Sequence, residues 1–341
     1  MLRKLGSTIA LALAAAALPL TPASAQGISL EAQFDSTLGT EVRAPQSFDA
    51  VYETSFERRI AALADGTNGR IGVYALDLTT GREVSILGDQ RFPMASTSKV
   101  AIAMAYLAQV DQGRKSLTSE YYHPRNRVYY TARQHIERTI SYSDNHSTDV
   151  LLEQVGGPQA VNAWARSVGI SEFNLTRDIK TLIAEDGRID PATQVDDRDS
   201  ATPRAMGQLM AGIYHGRWLS ASSNRVIMAA LEGTTTGRNR MASVLPMSAQ
   251  LAHKTGTLSR TASDIGIFYT ADRRPIAAAI YVTGQSPSQE YEDTGPRSRK
   301  YEARAERDSR IAQITSALYE GFRGANDNRV WASASYGAAG Q

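Results

Sequence analysis

Hydrophobic and polar positions divide this chain into segments of different rhythm. An apolar run rich in Ala and Leu extends from Leu5 to Leu18 behind the basic pair Arg3 and Lys4, and Ala23-Ser24-Ala25 follows it. That order predicts an export signal over 1–25, with the mature chain beginning near Gln26 and lying in the periplasm or outside the cell. The run is too short to span a bilayer, so no membrane anchor is expected. Residues 26–50 are polar and aperiodic, carry Gly and Pro, and read as a linker.

From Tyr52 to Leu63 the apolar residues recur at helical spacing and stop at Gly66, which predicts a first helix. Residues 70–78 and 82–87 read as strands joined by the turn Thr79-Thr80-Gly81. Val100 to Leu107 is apolar on every side, the mark of a helix buried inside a domain. Another helix covers Thr148 to Gln154 and is closed by Gly156-Gly157; Pro158 opens the next, and Pro203 starts one reaching about Tyr214. Between them lies a long stretch, 174–202, rich in Asp and Arg and without period. Strand rhythm returns at 250–257, 264–269 and 275–283, and a charged amphipathic helix covers 301–322. The tail 324–341, rich in Ala, Ser, Gly and Asn, is expected to be disordered.

Two strands first, helices between and three strands last predict an α/β (α+β) domain over 51–323. Its antiparallel sheet of about five strands would be flanked by helices, with an all-helical lobe inserted.

Composition narrows the chemistry. The chain has no cysteine, which removes thiol catalysis, Cys-based zinc, iron–sulfur clusters and a lipidated cysteine, and leaves the core to hold the fold. The net charge of +2 includes the two basic residues of the signal, so the mature chain is close to neutral. Arg297, Arg299 and Lys300 stand beside Glu290, Glu292 and Asp293, as in a solvated segment, so no nucleic-acid partner is expected. His123, His135, His146, His215 and His253 are scattered without metal-ligand spacing, and no G-x-S-x-G elbow is present. Neither a metal nor a cofactor is expected, and the protein is expected to be a monomer.

Three short motifs carry candidate chemistry. In Ser96-Thr97-Ser98-Lys99, just before the buried helix, a helix beginning near Ser96 would put Ser96 and Lys99 on one face. A serine hydroxyl needs an adjacent base, and a lysine in a dry pocket beside other cations can lose its proton and serve as one. In Ser143-Asp144-Asn145, Ser143 could relay a proton and Asn145 could hold both Lys99 and a substrate amide. The same tripeptide is also an ordinary helix start. In Lys254-Thr255-Gly256-Thr257, on a predicted strand, Lys254 offers charge and the two threonines offer hydroxyls. Gly256 would let a substrate lie against the strand backbone.

S-x-x-K, S-D-N and K-T-G in this order are the motif set of class A β-lactamases and penicillin-binding proteins. The chain resembles the class A serine β-lactamase family over about residues 50–323. Supporting stretches are Phe92-Pro93-Met94, Leu151 to Gly157, Thr235-Thr236-Gly237, Leu245-Pro246 and Asp264-Ile265-Gly266.

The resemblance implies that Ser96 attacks the lactam carbonyl with Lys99 as proton acceptor. The backbone N–H groups of Ser96 and Thr257 would form the oxyanion hole. Ser143 and Lys254 would pass a proton to the leaving nitrogen, Asn145 would orient the substrate side chain, and Lys254, Thr255 and Thr257 would hold its carboxylate. Arg240 matches an additional carboxylate-binding arginine of some members, with a solvated arginine or local ion pair as an equal reading. The substrate would be a small β-lactam or a cell-wall peptide.

The resemblance thins in two places. The family's E-x-x-L-N motif, whose glutamate activates the deacylating water, is missing after Thr176-Arg177. Ile179 and Lys180 stand near the expected place, and counting back from Pro203 brings Glu185 or Asp186 there instead. Glu185 is the candidate base, with a solvated loop acid as the competing reading. The segment between Lys99 and Ser143 is also shorter than usual, so Tyr121, Tyr122, Tyr129 or Tyr130 either lines the pocket edge or simply packs. With a working base the protein would be a β-lactamase. Without one it would be a penicillin-binding, D,D-peptidase-like enzyme, or a sensor that is acylated and slow to release.

Overall fold

The computed structural model describes residues 42–43, 54–65 and 68–323. The expected export signal, the rest of the expected linker and the tail lie outside them. Within the linker, Val42–Arg43 forms a short strand paired with Val195–Asp196.

Five antiparallel strands form the main sheet: β1 (Ile71–Asp77), β2 (Glu83–Ile86), β3 (Ala252–Leu258), β4 (Thr261–Tyr269) and β5 (Pro275–Thr283). Their order across the sheet is β3-β4-β5-β1-β2, so the two ends of the domain meet at the β5–β1 pair. Every residue of β5 is buried, because both faces of the sheet are covered. On one face, Ile71, Val73, Ile276, Ala278 and Ile280 pack on Ile60 of helix α1 (Ser55–Leu63) and on Ile311, Ile314 and Leu318 of the closing helix Arg297–Gly321. On the other, Ala277, Ala279 and Tyr281 face the helical lobe.

Helix α2 (Lys99–Asp111) runs through the middle of that lobe with Lys99 to Ala108 all buried, as its unbroken apolar pattern requires. Around it lie α3 (Ala132–Ser141), α4 (Asn145–Val155) and α5 (Gly157–Ser167). Gly156, at φ +104°, ends α4 in the left-handed conformation that glycine tolerates best.

The sequence pattern leaves α3 and the helix Ala221–Glu232 unmarked, although each carries a local start signal. Thr131 and Gln134 form a reciprocal capping box, and Ser220 accepts from the Ser223 amide at 3.2 Å. The stretch 174–202 is more ordered than its composition predicts. It holds helix α6 (Ile179–Ala184), capped by Asp178 through the Thr181 amide (2.7 Å), and short strands pairing it with Phe92–Pro93. Six residues are too few for a readable helical period. The four tyrosines form a hairpin, with Tyr121 opposite Tyr130 and Tyr122 opposite Tyr129. Tyr122 packs on Tyr129, Tyr121 on Tyr106 and Tyr130 on His123 and His135, and none of the four lines the cleft described below.

Candidate active site

Ser96, Ser143, Asn145, Thr236, Thr255, Thr257 and Arg240 line one open cleft of about 420 Å³ between the sheet edge and the helical lobe. Ser96 comes from a 3₁₀ turn, Ala95–Ser98, and the α-helix proper begins at Lys99. The expected neighbourhood of Ser96 and Lys99 survives this shift, since residues three apart eclipse in a 3₁₀ turn. The turn is tightly fixed. Thr97 Oγ1 donates to Met94 O (2.7 Å) and meets the Tyr281 hydroxyl (2.9 Å), and Ser98 Oγ donates to Ala95 O (2.9 Å). Ala95 itself sits at φ +49°, uncommon for a residue with a side chain.

Ser143 also lies in the left-handed region, at φ +56°, between the end of α3 and the start of α4. Asp144 caps α4 through the Ser147 amide (2.8 Å) and is held by His123 Nε2 (3.1 Å) and Arg138 (3.3 Å). Burial disfavours its charge, but the Ser147 amide, His123 and Arg138 outweigh that and hold the carboxyl at about 2. The helix-start reading of the tripeptide thus applies to Asp144, while its neighbours face the cleft.

Two lysines converge behind them. Lys99 Nζ donates to Asn145 Oδ1 (2.6 Å), Ser143 O (2.8 Å) and Ser143 Oγ (3.3 Å). Lys254 Nζ donates to the same Ser143 Oγ (3.0 Å) and to Thr255 O (2.8 Å). Burial pushes the Lys99 ammonium down to about 7, against the pull of Asp144 and Asp149. Burial likewise lowers Lys254 well below the ordinary lysine value, and the charge of Lys99 adds to it. A lysine neutral near pH 7 beside a serine can accept that serine's proton.

Strand β3 forms the opposite wall. A Cβ on Gly256 would fall 2.5 Å from Ser263 Oγ and 2.7 Å from Met94 O. The glycine therefore lets the strand close onto the turn carrying Ser96, a packing demand that the sequence reading did not include. Thr255 Oγ1 bonds Thr236 Oγ1 at 2.6 Å. Arg240 is buried. Its Nη1 donates to Gly256 O (2.8 Å) and Ser263 O (2.9 Å), Nη2 to Thr257 Oγ1 (2.7 Å) and Nε to Asp308 (2.6 Å). It is a paired arginine that braces β3, and it faces the cleft through Thr257. Arg238, Asn239, Arg304 and Asp308 also line the cleft and were not singled out by sequence, and Thr236 was named only as part of a supporting stretch. The four-residue spacing of Arg304 and Asp308 on the closing helix was the available signal.

Glu185 is the sequence-selected residue that the structure does not bring to this cleft. It lines a separate cavity with Leu182, Arg188 and Arg198, and its carboxylate accepts from Arg177 Nη1 at 2.5 Å. That bond holds it below the ordinary glutamate value. The alternative, Asp186, accepts from the Ser259 amide (2.9 Å). Counting residues placed both acids in the right loop but could not give their direction. Three arginines, Arg177, Arg188 and Arg198, surround Glu185 and turn it outward. Among the described residues lining the Ser96 cleft, the one carboxylate is Asp308, already paired with Arg240.

A family model described as "Beta-lactamase enzyme family" matches residues 55–322. The chain belongs to the class A β-lactamase family. The chain is 29% identical to β-lactamase SME-1 of Serratia marcescens over 69% of this chain and 83% of that one. It is 30% identical to β-lactamase CTX-M-25 of Escherichia coli, with the same shares covered. Among solved structures, an ancestral class A β-lactamase aligns with a TM-score of 0.68 at 31% identity, covering 79% of this chain and all of that one. A β-lactamase from Chitinophaga pinensis aligns at 0.66 and 25% identity, over 79% of this chain and 99% of that one. This class A member is therefore a serine hydrolase by family. Its sheet and inserted helical lobe are those expected from sequence.

Proposed function

We propose that the chain hydrolyses β-lactams through an acyl-enzyme on Ser96. Neutral Lys99 takes the Ser96 proton as the hydroxyl oxygen adds to the lactam carbonyl. The backbone N–H groups of Ser96 and Thr257 receive the developing oxyanion. The ring C–N bond then breaks, and Ser143, bonded to both lysines, hands a proton to the departing nitrogen. Lys254, Thr255 and Thr257 hold the substrate carboxylate, with Arg240 fixing the Thr257 hydroxyl, and Asn145 orients the substrate side chain. The observation that carries this reading is the chain of bonds Asn145–Lys99–Ser143–Lys254 behind the serine. No metal or cofactor enters any step.

The outward position of Glu185 favours a second reading: acylation followed by slow release, as in a penicillin-binding peptidase or a sensor of cell-wall peptides. Two assays test the nucleophile and separate the readings. A fluorescent penicillin labels the wild type and leaves Ser96→Ala dark; a labelled variant refutes the nucleophile. A chromogenic cephalosporin gives many turnovers for a β-lactamase and one stoichiometric burst for the second reading.

The N-terminal signal pattern supports export to the periplasm or beyond, and the protein acts as a monomer in this reading. No described helix is long and apolar enough to cross a membrane.

A further inference from the structure

The loop position where sequence comparison expects a carboxylate carries Ile179 and Lys180, yet a carboxylate is present there. The Ile179 amide donates to Asp149 Oδ1 at 2.7 Å and the Lys180 amide to Asp149 Oδ2 at 3.1 Å. Asp149 belongs to α4, four residues after Asn145 and so on the same helix face. Asn145 is bonded to Lys99 Nζ. We propose that Asp149, one turn below Asn145 and bonded to the loop at Ile179 and Lys180, is a positioning residue for the Ser96–Lys99 pair. It supplies from α4 the negative charge that the loop lacks.

Supporting this placement, Asp149 and Asp144 are the two carboxylates that favour the charged form of Lys99, against its burial. Asp144 is already committed to capping α4 and to His123 and Arg138. Lys254, bonded to the same Ser143 hydroxyl as Lys99, is the like charge nearby. Around Asp149 the charged groups are Lys99 and Asp178, with the Ile179 and Lys180 amides. Burial, aided by the like charge of Asp178, leaves the Asp149 carboxyl above the ordinary aspartate value, against the two amides and Lys99. The same bonds hold α6 against α4, so one side chain fixes the loop and sets how readily Lys99 sheds its proton.

The role rests on acylation of Ser96, and the test keeps the two apart. Acylation by a fluorescent penicillin is followed by stopped flow from pH 5 to 9 in the full chain and in Asp149→Asn. Removing the charge makes Lys99 easier to deprotonate, so the acid limb of the acylation rate moves down by about one pH unit. Asp149→Glu, which keeps the charge, leaves the limb near that of the wild type. An Asp149→Asn protein that folds and acylates with an unmoved limb overturns the proposal and reduces Asp149 to a loop anchor. If Asp149→Asn does not fold, Asp149→Glu and Asp149→Gln, equal in length and different in charge, give the same comparison. A wild type that neither takes label nor consumes the penicillin refutes acylation itself, a result distinct from labelling with an unmoved limb.

Discussion

Lys99 shows how the site draws its reactivity from the core. Its four-carbon stem and ammonium sit inside the lobe, and the cost of that burial holds the group near neutrality. Acylation by the wild type should therefore rise with pH through about 7, the value at which Lys99 loses its proton. Stability follows the same group with a definite sign. Between the folded value of about 7 and the ordinary 10.5, the unfolded chain binds a proton that the folded chain does not. The Lys99 contribution therefore destabilises fully below pH 7, and that cost fades as pH rises toward 10.5. Measured acylation that is flat from pH 6 to 8 would contradict this account.

Much of the site at this scale was legible in sequence. Ser96, Lys99, Ser143, Asn145 and Lys254 to Thr257 are short, locally ordered motifs, and the structure brings them to one place. Glu185 was read for residue type, whereas its part depends on the neighbour across from it, Arg177. For Gly256 the structure adds a neighbour that the sequence could not name, the Met94–Ala95 turn.

At the scale of elements, the Ser96 turn meets β3 along a seam, and Gly256 is a point of close approach in it. Gly256→Ala should push the turn away from the strand, because one of the atoms in the way is the Met94 backbone oxygen. A shift of about 1 Å at the nucleophile costs up to about 100-fold in rate. We expect acylation by a fluorescent penicillin to slow by about that factor, with a stability loss of about 1–3 kcal/mol by urea denaturation. An unchanged rate would mean that the seam has slack.

Elements with a long period or sharp end signals, such as Pro203–Tyr214, were readable in start and approximate end. The polar-rich α3 and the six-residue α6 were not: the buried stripe of α3 is thin, with only Ala132, Ile136 and Ile140 apolar, and six residues hold no readable period. The pair of amide bonds from α6 to Asp149 is a tertiary contact that no local pattern displays.

For the molecule as a whole, the order of strands makes the closing helix indispensable. It covers the face of β5 and β1 where the two ends of the domain join. Leu318 is fully buried there, and Leu318→Ala should destabilise the domain by about 2–5 kcal/mol in urea denaturation. A loss below 1 kcal/mol would show that this face repacks freely. The fold class was readable from the sequence because strands, helices and strands follow one another in blocks. The order within the sheet was not, because alternation marks a strand without naming its neighbours.

Ala95 and Ser143 both occupy backbone conformations that suit glycine better, and they flank the two hydroxyls of the site. A lineage selected only for ruggedness would be drawn toward glycine at both positions. Selection for speed opposes that drift at 143, where the side chain is bonded to both buried lysines of the site. At 95 it opposes drift because a looser hinge would let the nucleophile wander. These two joints mark where durability and turnover compete in this enzyme, and where its evolutionary history should show the least freedom.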